Sequence, residues 1–314
     1  MGDPAGVGPE LCLRLLQEAD RGILPYRPVV LGDLGLLERV SKATRIPLAE
    51  RHVRDLRNLN SARVEPGKIQ AECGRAAGEF IRAAVEGCRS GEFAAMVTAP
   101  IHKESLHQGG FDYPGHTEMI ADLLGVRGRE AMLLTSEKIS VTFATLHVSI
   151  AEAARTLRQV EIVRAGRLAA EWLGRLRGRP ARVGVLALNP HAGEGGLMGN
   201  EELSRIRPAL EELRSKGIHA EGPLVPDAAF TEHARARFDV YVAMYHDQGS
   251  IPFKMLAFEE GVNVTMGLPI HRTSPDHGTA FDIAWKGIAS PSSFFAAANL
   301  AARLARGAAG QEQG

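Results

Sequence analysis

A chain of 314 residues, 45% hydrophobic and 24% charged, has ordinary folded-protein composition, and its length makes two domains the expectation. Its 37 Lys and Arg balance 37 Asp and Glu, so it lacks the positive excess on which nucleic-acid and anionic-membrane binding rest. A small anionic substrate needs only a local cluster and stays open. The 3 cysteines, Cys12, Cys73 and Cys88, form no CxxC pair and suit a reducing cytoplasm better than a disulfide framework. The richest apolar stretch, 294–305, is broken by Asn299 and Arg303 and falls short of the ~18 residues of a membrane span. No secretory signal pattern opens the chain.

The chain begins in loop chemistry, Gly2-Asp3-Pro4-Ala5-Gly6, with no element before it to hold the loop, and Pro9 then suits the first turn of a helix. Residues 28–32 predict a strand, 34–42 a helix, 69–89 an amphipathic helix and 93–98 a buried strand. Further on, 140–146 predict a strand, 150–176 one long helix, 182–188 a strand, 201–216 a helix and 238–244 a strand. Residues 262–266 read as a last strand and 292–306 as a closing helix, with a small polar tail after Arg306 expected to fray. Strands alternating with helices predict an α/β fold with a largely parallel sheet. No period of 20–50 residues repeats, which excludes a solenoid.

Three of the 11 histidines follow apolar strand-like runs: VTFATL before His147, VGVLALNP before His191 and VYVAMY before His246. Ligands of open α/β sheets bind beyond the carboxyl ends of the strands, so these imidazoles are expected to converge. Three histidines with an open position suit a divalent metal such as zinc, magnesium or cobalt. The alternative is that each caps its strand or bonds a nearby carbonyl. Asp247, beside His246, can orient a ligand ring or simply form a turn.

Lys254, Asn263 and Arg272 offer a point charge, an amide and a planar guanidinium, a set that suits a phosphate dianion, although scattered cations also make an ordinary solvated face. Gly261, Gly267 and Pro269 make their surroundings loop-rich. The glycines of GEGGLMG (193–199) are not spaced as GxGxxG, no Walker pattern exists, and Glu201 and Glu202 would oppose a phosphate. A nucleotide site of the usual Rossmann kind is therefore not supported.

Several segments, MGDPAGVGPE, VTAPIHKESL, YPGHTEMIADLLG, TLHVS, LNPHAGEGGLMGNEE, MYHDQGSIPFK, GVNVTMGLP and RTSPDHGTAFDIAWKGIAS, occur in the order of one family. Nearly end to end the chain resembles the 4-hydroxythreonine-4-phosphate dehydrogenase family of pyridoxal phosphate biosynthesis. The resemblance implies a two-domain fold like isocitrate and isopropylmalate dehydrogenases, with an interdomain cleft. It also implies a homodimer with the site at the interface. Domain boundaries are expected at 1–110 with 255–314, and 111–254. The implied metal ligands are His147, His191 and His246, the last from the partner subunit. Substrate contacts fall on His116, Thr117, Lys254, Asn263 and Arg272. The stretch His277-Gly278-Thr279-Ala280-Phe281-Asp282 is similar to an adenosine-binding loop, which places NAD or NADP on His277, Gly278 and Asp282 without Rossmann glycines.

The implied reaction is metal- and NAD-dependent oxidation and decarboxylation of 4-phosphooxy-L-threonine to 3-amino-2-oxopropyl phosphate. His116, Asp247 and Lys254 are candidates for the proton carrier. Close alternatives are 4-phospho-D-threonate or 4-phospho-D-erythronate as substrate. Relatives that oxidise aromatic cis-dihydrodiol carboxylates are disfavoured by the phosphate-suited residues. A metal-dependent phosphohydrolase and a non-catalytic metal-stabilised binding protein are the readings from other classes. Two features depart from the resemblance. The family's strand before the GDPAG loop has no counterpart in the sequence as given, which puts the stability of the chain as given in question. His271 stands where an apolar residue is common, and either touches substrate or faces solvent.

Overall fold

A computed structural model describes residues 1–311. The chain divides into two compact units, Met1–Gly128 with Leu268–Gly314, and Arg129–Gly267. The first begins with α1 (Gly8–Asp20), β1 (Val30–Gly32), α2 (Leu34–Thr44), β2 (Val53–Asp55), α3 (Ala71–Arg89), β3 (Met96–Val97), α4 (Lys103–Gln108) and α5 (His116–Leu123). The second holds β4 (Ala131–Thr135), β5 (Ser140–Phe143), α6 (Ile150–Thr156), α7 (Gln159–Arg177), β6 (Arg182–Leu186), α8 (Arg207–Ser215) and β7 (His219–Leu224). It continues with α9 (Pro226–Ala229), α10 (Glu232–Arg235), β8 (Val240–Ala243), α11 (His246–Ala257) and β9 (Val262–Met266). The chain then returns to the first unit with β10 (Arg272–Pro275) and α12 (Ser292–Gln311).

In the first unit β1 pairs in parallel with β2, and β3 with β10. The core gathers Leu11, Leu16, Leu36, Leu37, Val40 and Phe80, apolar positions that recur at helical spacing on α1, α2 and α3. Asp33 caps α2 by accepting from the Leu36 N–H at 2.9 Å. The opening loop, expected to have nothing to hold it, is buried and tied on several sides. The Met1 amine donates to the Leu31 carbonyl at 3.1 Å, Asp3 N–H to Pro100 at 2.9 Å, and Val7 N–H to Thr279 at 3.0 Å. Trp285 Nε1–H donates to the Pro4 carbonyl at 3.1 Å. A cavity of about 790 Å³ lies beside this loop, lined by Leu31, Phe80, Val97, Phe294 and His116 among others.

The second unit carries a six-stranded run in the order β9-β4-β5-β8-β6-β7. Strand β4 is antiparallel to both β9 and β5, whereas β5-β8, β8-β6 and β6-β7 are parallel. The sheet is thus less parallel than the alternation of strands and helices suggests. The difference is β4, which the sequence pattern did not reveal and which turns back into β5 through Ser136 N–H to Ile139 O at 2.9 Å. Because β5, β8 and β6 are adjacent and parallel, their carboxyl ends share one edge.

Other elements differ in detail. Residues 150–176, expected as one helix, form α6 and α7, because Leu157 takes an extended conformation (ψ 124°) and drives its side chain into the core. Residues 201–216 begin with a π-type turn over Glu202–Ile206 before α8. Pro208 lacks the N–H that would close a normal turn there. The strand expected at 93–98 shrinks to β3, and α12 extends through Gln311, past the point where fraying was expected. The last part of that tail, 312–314, lies outside the described residues. Unit boundaries fall at 128/129 and 267/268 rather than 110/111 and 254/255. The physical reason is pairing: Phe111, Met119 and Ile120 pack with Ile81 and Val85 of the first unit, while β9 pairs with β4 of the second.

The amino-terminal edge of the parallel strands is held by charge. Asp239, 3% exposed, receives hydrogen bonds from Arg177, Arg179 and Arg182 side chains and from the Arg182 N–H at 2.8 Å. Burial alone would raise its pKa, but these bonds outweigh it and hold the carboxyl well below the ordinary range. A depressed folded pKa gives stability that is present above the unfolded value, about 4, and is lost as pH falls. Asp239→Asn is expected to cost about 1–3 kcal/mol at pH 7, discounted for the half-exposed arginines. The difference from the parent should shrink as pH falls from about 4 toward 2. Urea unfolding at pH 7 and pH 3 checks both.

Candidate active site

The three strand-end histidines emerge from neighbouring strands. His147 follows β5, His191 follows β6, and His246 opens α11 just beyond β8, the strand between them. The rings of His147 and His246 lie with centroids 5.7 Å apart, and His246 stacks on Phe143 at 6.0 Å. Two imidazoles sharing one tetrahedral ion have ring centres roughly 5 Å apart, so this pair fits a common divalent metal. Asp247 Oδ1 lies 2.7 Å from His246 Nδ1, a contact that holds the ring and, with the proton on Nδ1, leaves the Nε2 lone pair for a metal. Of the two roles open to Asp247, the geometry supports ring orientation.

Gly249 makes the approach possible. A Cβ there would stand 2.5 Å from Val141 Cγ1 and 2.8 Å from Phe143 Cε1, so only glycine lets the start of α11 settle onto β5. His191 does not join the pair: among the described residues no group of three His, Cys, Asp or Glu side chains is arranged to hold a metal. The expected trio is therefore not assembled within one chain. His246, assigned by resemblance to a partner's site, stands beside His147 of its own chain.

His191 begins a left-handed run, with φ of 52°, 53°, 74°, 41° and 69° for His191, Ala192, Gly193, Glu194 and Gly195. The run is closed from below by Glu202, 2% exposed, whose carboxylate accepts from Leu188 N–H, Asn189 N–H and Asn189 Nδ2 at 2.8, 2.8 and 2.9 Å. Glu201 accepts from the same amide at 2.8 Å, which holds its carboxyl below the usual value. Sequence reasoning missed this role. The two glutamates are braces of the His191 loop, and the available signal was their position where the glycine-rich loop after Asn189-Pro190-His191 gives way to a helix.

The phosphate candidates divide between the units. Arg272, on β10 of the first, is 3% exposed and donates to Thr98 Oγ1 from Nη2 at 2.7 Å. Burial lowers its pKa to about 10, opposed by the charge of Glu118, so it remains cationic at neutral pH. His116 and Thr117 open α5 in the same unit. The shielded Nε2 of His116 has no hydrogen-bond partner. Burial, then the Arg272 charge, pushes this imidazole well below its ordinary pKa, so it is neutral. In the second unit Lys254 is exposed on α11, and Asn263 on β9 donates weakly to Met132 Sδ at 3.4 Å. The Asn263 Oδ1 is buried without a partner. Buried polar atoms without partners are uncommon and ask for a ligand or water.

The 277–282 loop is open on its outer side. His277, Gly278 and Asp282 are exposed, with His277 Nδ1 3.0 Å from the Gly278 carbonyl and nothing within 4 Å of a Cβ built on Gly278. Beneath it, Val7 N–H bonds Thr279, and His102 stacks on Phe281 at 4.9 Å. His271 is half-buried, and its carbonyl accepts from Met96 N–H at 2.9 Å.

Known proteins resemble this chain in sequence and fold. The family model described as pyridoxal phosphate biosynthetic protein PdxA matches residues 25–301. The 4-hydroxythreonine-4-phosphate dehydrogenase of Desulforapulum autotrophicum is 41% identical over 326 residues, covering 96% of this chain and 93% of the relative. The D-threonate 4-phosphate dehydrogenase of Pectobacterium atrosepticum is 38% identical, covering 97% and 98%. A crystal structure of 4-hydroxythreonine-4-phosphate dehydrogenase from Klebsiella pneumoniae matches with a TM-score of 0.88 at 40% identity, covering 97% and 96%. The fold and these likenesses define an α/β dehydrogenase, an oxidoreductase. The chain belongs to the PdxA family of pyridoxal phosphate biosynthesis, the family its motifs resemble.

The neutral His116 carries a pH signature. Its folded pKa lies below the unfolded value of about 6.5, so the unfolded state takes up a proton first as pH falls. Stability held above pH ~6.5 is therefore lost below it. His116→Gln should flatten this loss, and thermal melts of both proteins at pH 7.5 and 5.5, about one unit on either side of that value, check the prediction.

Proposed function

We propose that the protein oxidises and decarboxylates 4-phosphooxy-L-threonine to 3-amino-2-oxopropyl phosphate, with a nicotinamide cofactor and a divalent metal. The reading is carried by one observation, the pairing of His147 and His246 rings at 5.7 Å at the ends of adjacent strands. His147, His246 and His191 would hold the ion, zinc or cobalt by ligand type, with the set completed across a homodimer interface. A dimer is supported by an exposed apolar stripe on and just past α11, where Ile251, Met255 and Phe258 recur at helical spacing, 57%, 82% and 72% exposed.

The ion supplies Lewis acidity toward a hydroxyl and the ketone made from it, and the nicotinamide supplies hydride acceptance. The remaining work belongs to this chain. Arg272, held by Thr98, binds the phosphate as a fixed fork, with Lys254 as a point charge and Asn263 offering its Nδ2 donors. This anchoring fixes the reacting carbon by remote contacts. Asp247 keeps the His246 ring turned. His116, whose Nε2 has no hydrogen-bond partner, is assigned to accept the hydroxyl proton. Thr117 adds a hydroxyl beside it. The exposed 277–282 loop, with His277, Gly278 and Asp282, is the seat for NAD or NADP. The free cysteines fit a cytoplasmic setting.

A second reading, oxidation of 4-phospho-D-threonate or 4-phospho-D-erythronate, is favoured by the near-equal identity to a D-threonate 4-phosphate dehydrogenase. NADH absorbance with the three phosphorylated acids separates these readings, since one amine-to-hydroxyl exchange is read by a single hydrogen bond. Activity is expected only with a divalent metal and to vanish on chelation. His147→Ala should lower kcat by about 100-fold or more, the scale of one lost transition-state contact. Arg272→Lys should raise KM about 10–100-fold, because a lysine cannot reproduce the guanidinium fork. Release of inorganic phosphate without NADH would replace the dehydrogenase reading with hydrolysis.

A further inference from the structure

The backbone ladder between β8 and β6 pairs Val240 with Val183, Tyr241 with Gly184 and Val242 with Val185, and then stops. The histidines lie beyond that point, on segments the ladder no longer holds. One buried side chain bridges the gap. Gln248, on the first turn of α11 and 9% exposed, accepts from the Met244 N–H at 2.7 Å and donates from Nε2 to the Ala187 carbonyl at 2.6 Å. Its amide thus presents one acceptor and one donor in the places where a strand would present them. On the other side of Met244, its carbonyl accepts from Thr145 Oγ1 at 2.7 Å and from Thr145 N–H at 3.2 Å. Thr145, Met244 and Ala187 precede His147, His246 and His191 by two, two and four residues. The three carriers are laced through Met244.

We infer that Gln248 is a positioning residue for the histidine set, its side-chain amide serving as an extra rung that fixes the His191 loop against the start of α11. The inference rests on the reading that these histidines hold a metal. A buried amide with both ends satisfied has one orientation, so the rung has a polarity that an apolar side chain of the same volume does not supply. Gln248→Met fills the space and removes both bonds. Gln248→Glu keeps an acceptor for Met244 but turns an oxygen toward the Ala187 carbonyl. Neither variant alters a proposed ligand.

The test is titration of the full-length apoprotein with Zn²⁺ against a chromophoric chelator, and with Co²⁺ read by its visible ligand-field bands. The proteins compared are the parent, His246→Ala, Gln248→Met, Gln248→Glu and Tyr241→Phe. The last removes a buried hydrogen bond of equal length from β8, the 2.7 Å contact of Tyr241 to the Ala229 carbonyl. Both Gln248 variants should bind Zn²⁺ about 10–100-fold more weakly and shift the Co²⁺ bands, the scale of a lost ligand-orienting contact. Tyr241→Phe should lower the thermal midpoint and leave both metal readouts at parental values. Parental metal binding by folded Gln248→Met and Gln248→Glu overturns the inference while leaving the metal reading intact. If His246→Ala binds as the parent does, the metal reading falls and the inference with it. Gln248→Glu, which retains the Met244 rung, decides the question if Gln248→Met does not fold.

Discussion

The parallel ladder β5-β8-β6 is the constraint on which the placement of the second unit's histidines depends. Val141 sits opposite Tyr241 and Val183 opposite Val240, so three strands run in one direction and end on one edge. Val141, Val183, Val185, Val240 and Val242 are fully buried, as expected where helices and loops cover both faces of a parallel sheet. Side chains alternate faces along a strand, so a slip of one residue would expose this core and move each histidine to the other face. The histidines are placed by the burial of valines several residues upstream. Their own contacts, the Phe143 stack and the Asp247 hydrogen bond, only refine the result.

Charge is used in opposite ways at separate places. At the amino edge of the same strands, Asp239 is surrounded by Arg177, Arg179 and Arg182, and the cluster is closed on itself. Such a cluster joins the ends of α7, β6 and β8 and offers stability. In the first unit, Arg272 is as buried as Asp239, donates to the Thr98 hydroxyl and feels the charge of Glu118, and its pKa of about 10 leaves it charged. On the proposed reading, this buried guanidinium would meet a phosphate as a fixed fork, whereas the Asp239 cluster ties chain ends together.

Some of this was legible in the residues. The strand-end histidines could be found because each follows an apolar run long enough to be a strand, and the long motifs were specific enough to name the family. Other features depend on tertiary contacts that leave little local trace. AMLLT at 131–135 is too short a run to distinguish strand from helix, so β4 and its antiparallel pairing were missed. The break between α6 and α7 has no proline or glycine to mark it; burial of Leu157 decides it. Glu201 and Glu202 looked like repellents of a phosphate when considered as charges, yet as acceptors they brace the turn before His191. Gln248 is a polar residue at an apolar strand-to-helix junction, a hint whose meaning appears only once Met244 and Ala187 are seen on either side.

The His191 loop shows why such braces matter. Three of its residues that carry a Cβ, His191, Ala192 and Glu194, have φ between 41° and 53°. At about 1–2 kcal/mol each, this conformation is costly and would not persist in an unsupported loop. It persists because Glu202 accepts three hydrogen bonds at 2.8–2.9 Å from the chain just upstream, and Gly193 leaves room for that carboxylate where a Cβ would stand 2.7 Å from Oε2. The loop's shape is therefore set by the protein's own acceptor and does not wait for a ligand to impose it. On the proposed metal reading, a lone pair presented in advance would avoid the ordering cost that a mobile loop incurs on binding, so affinity would go to holding the ligand rather than to folding the site.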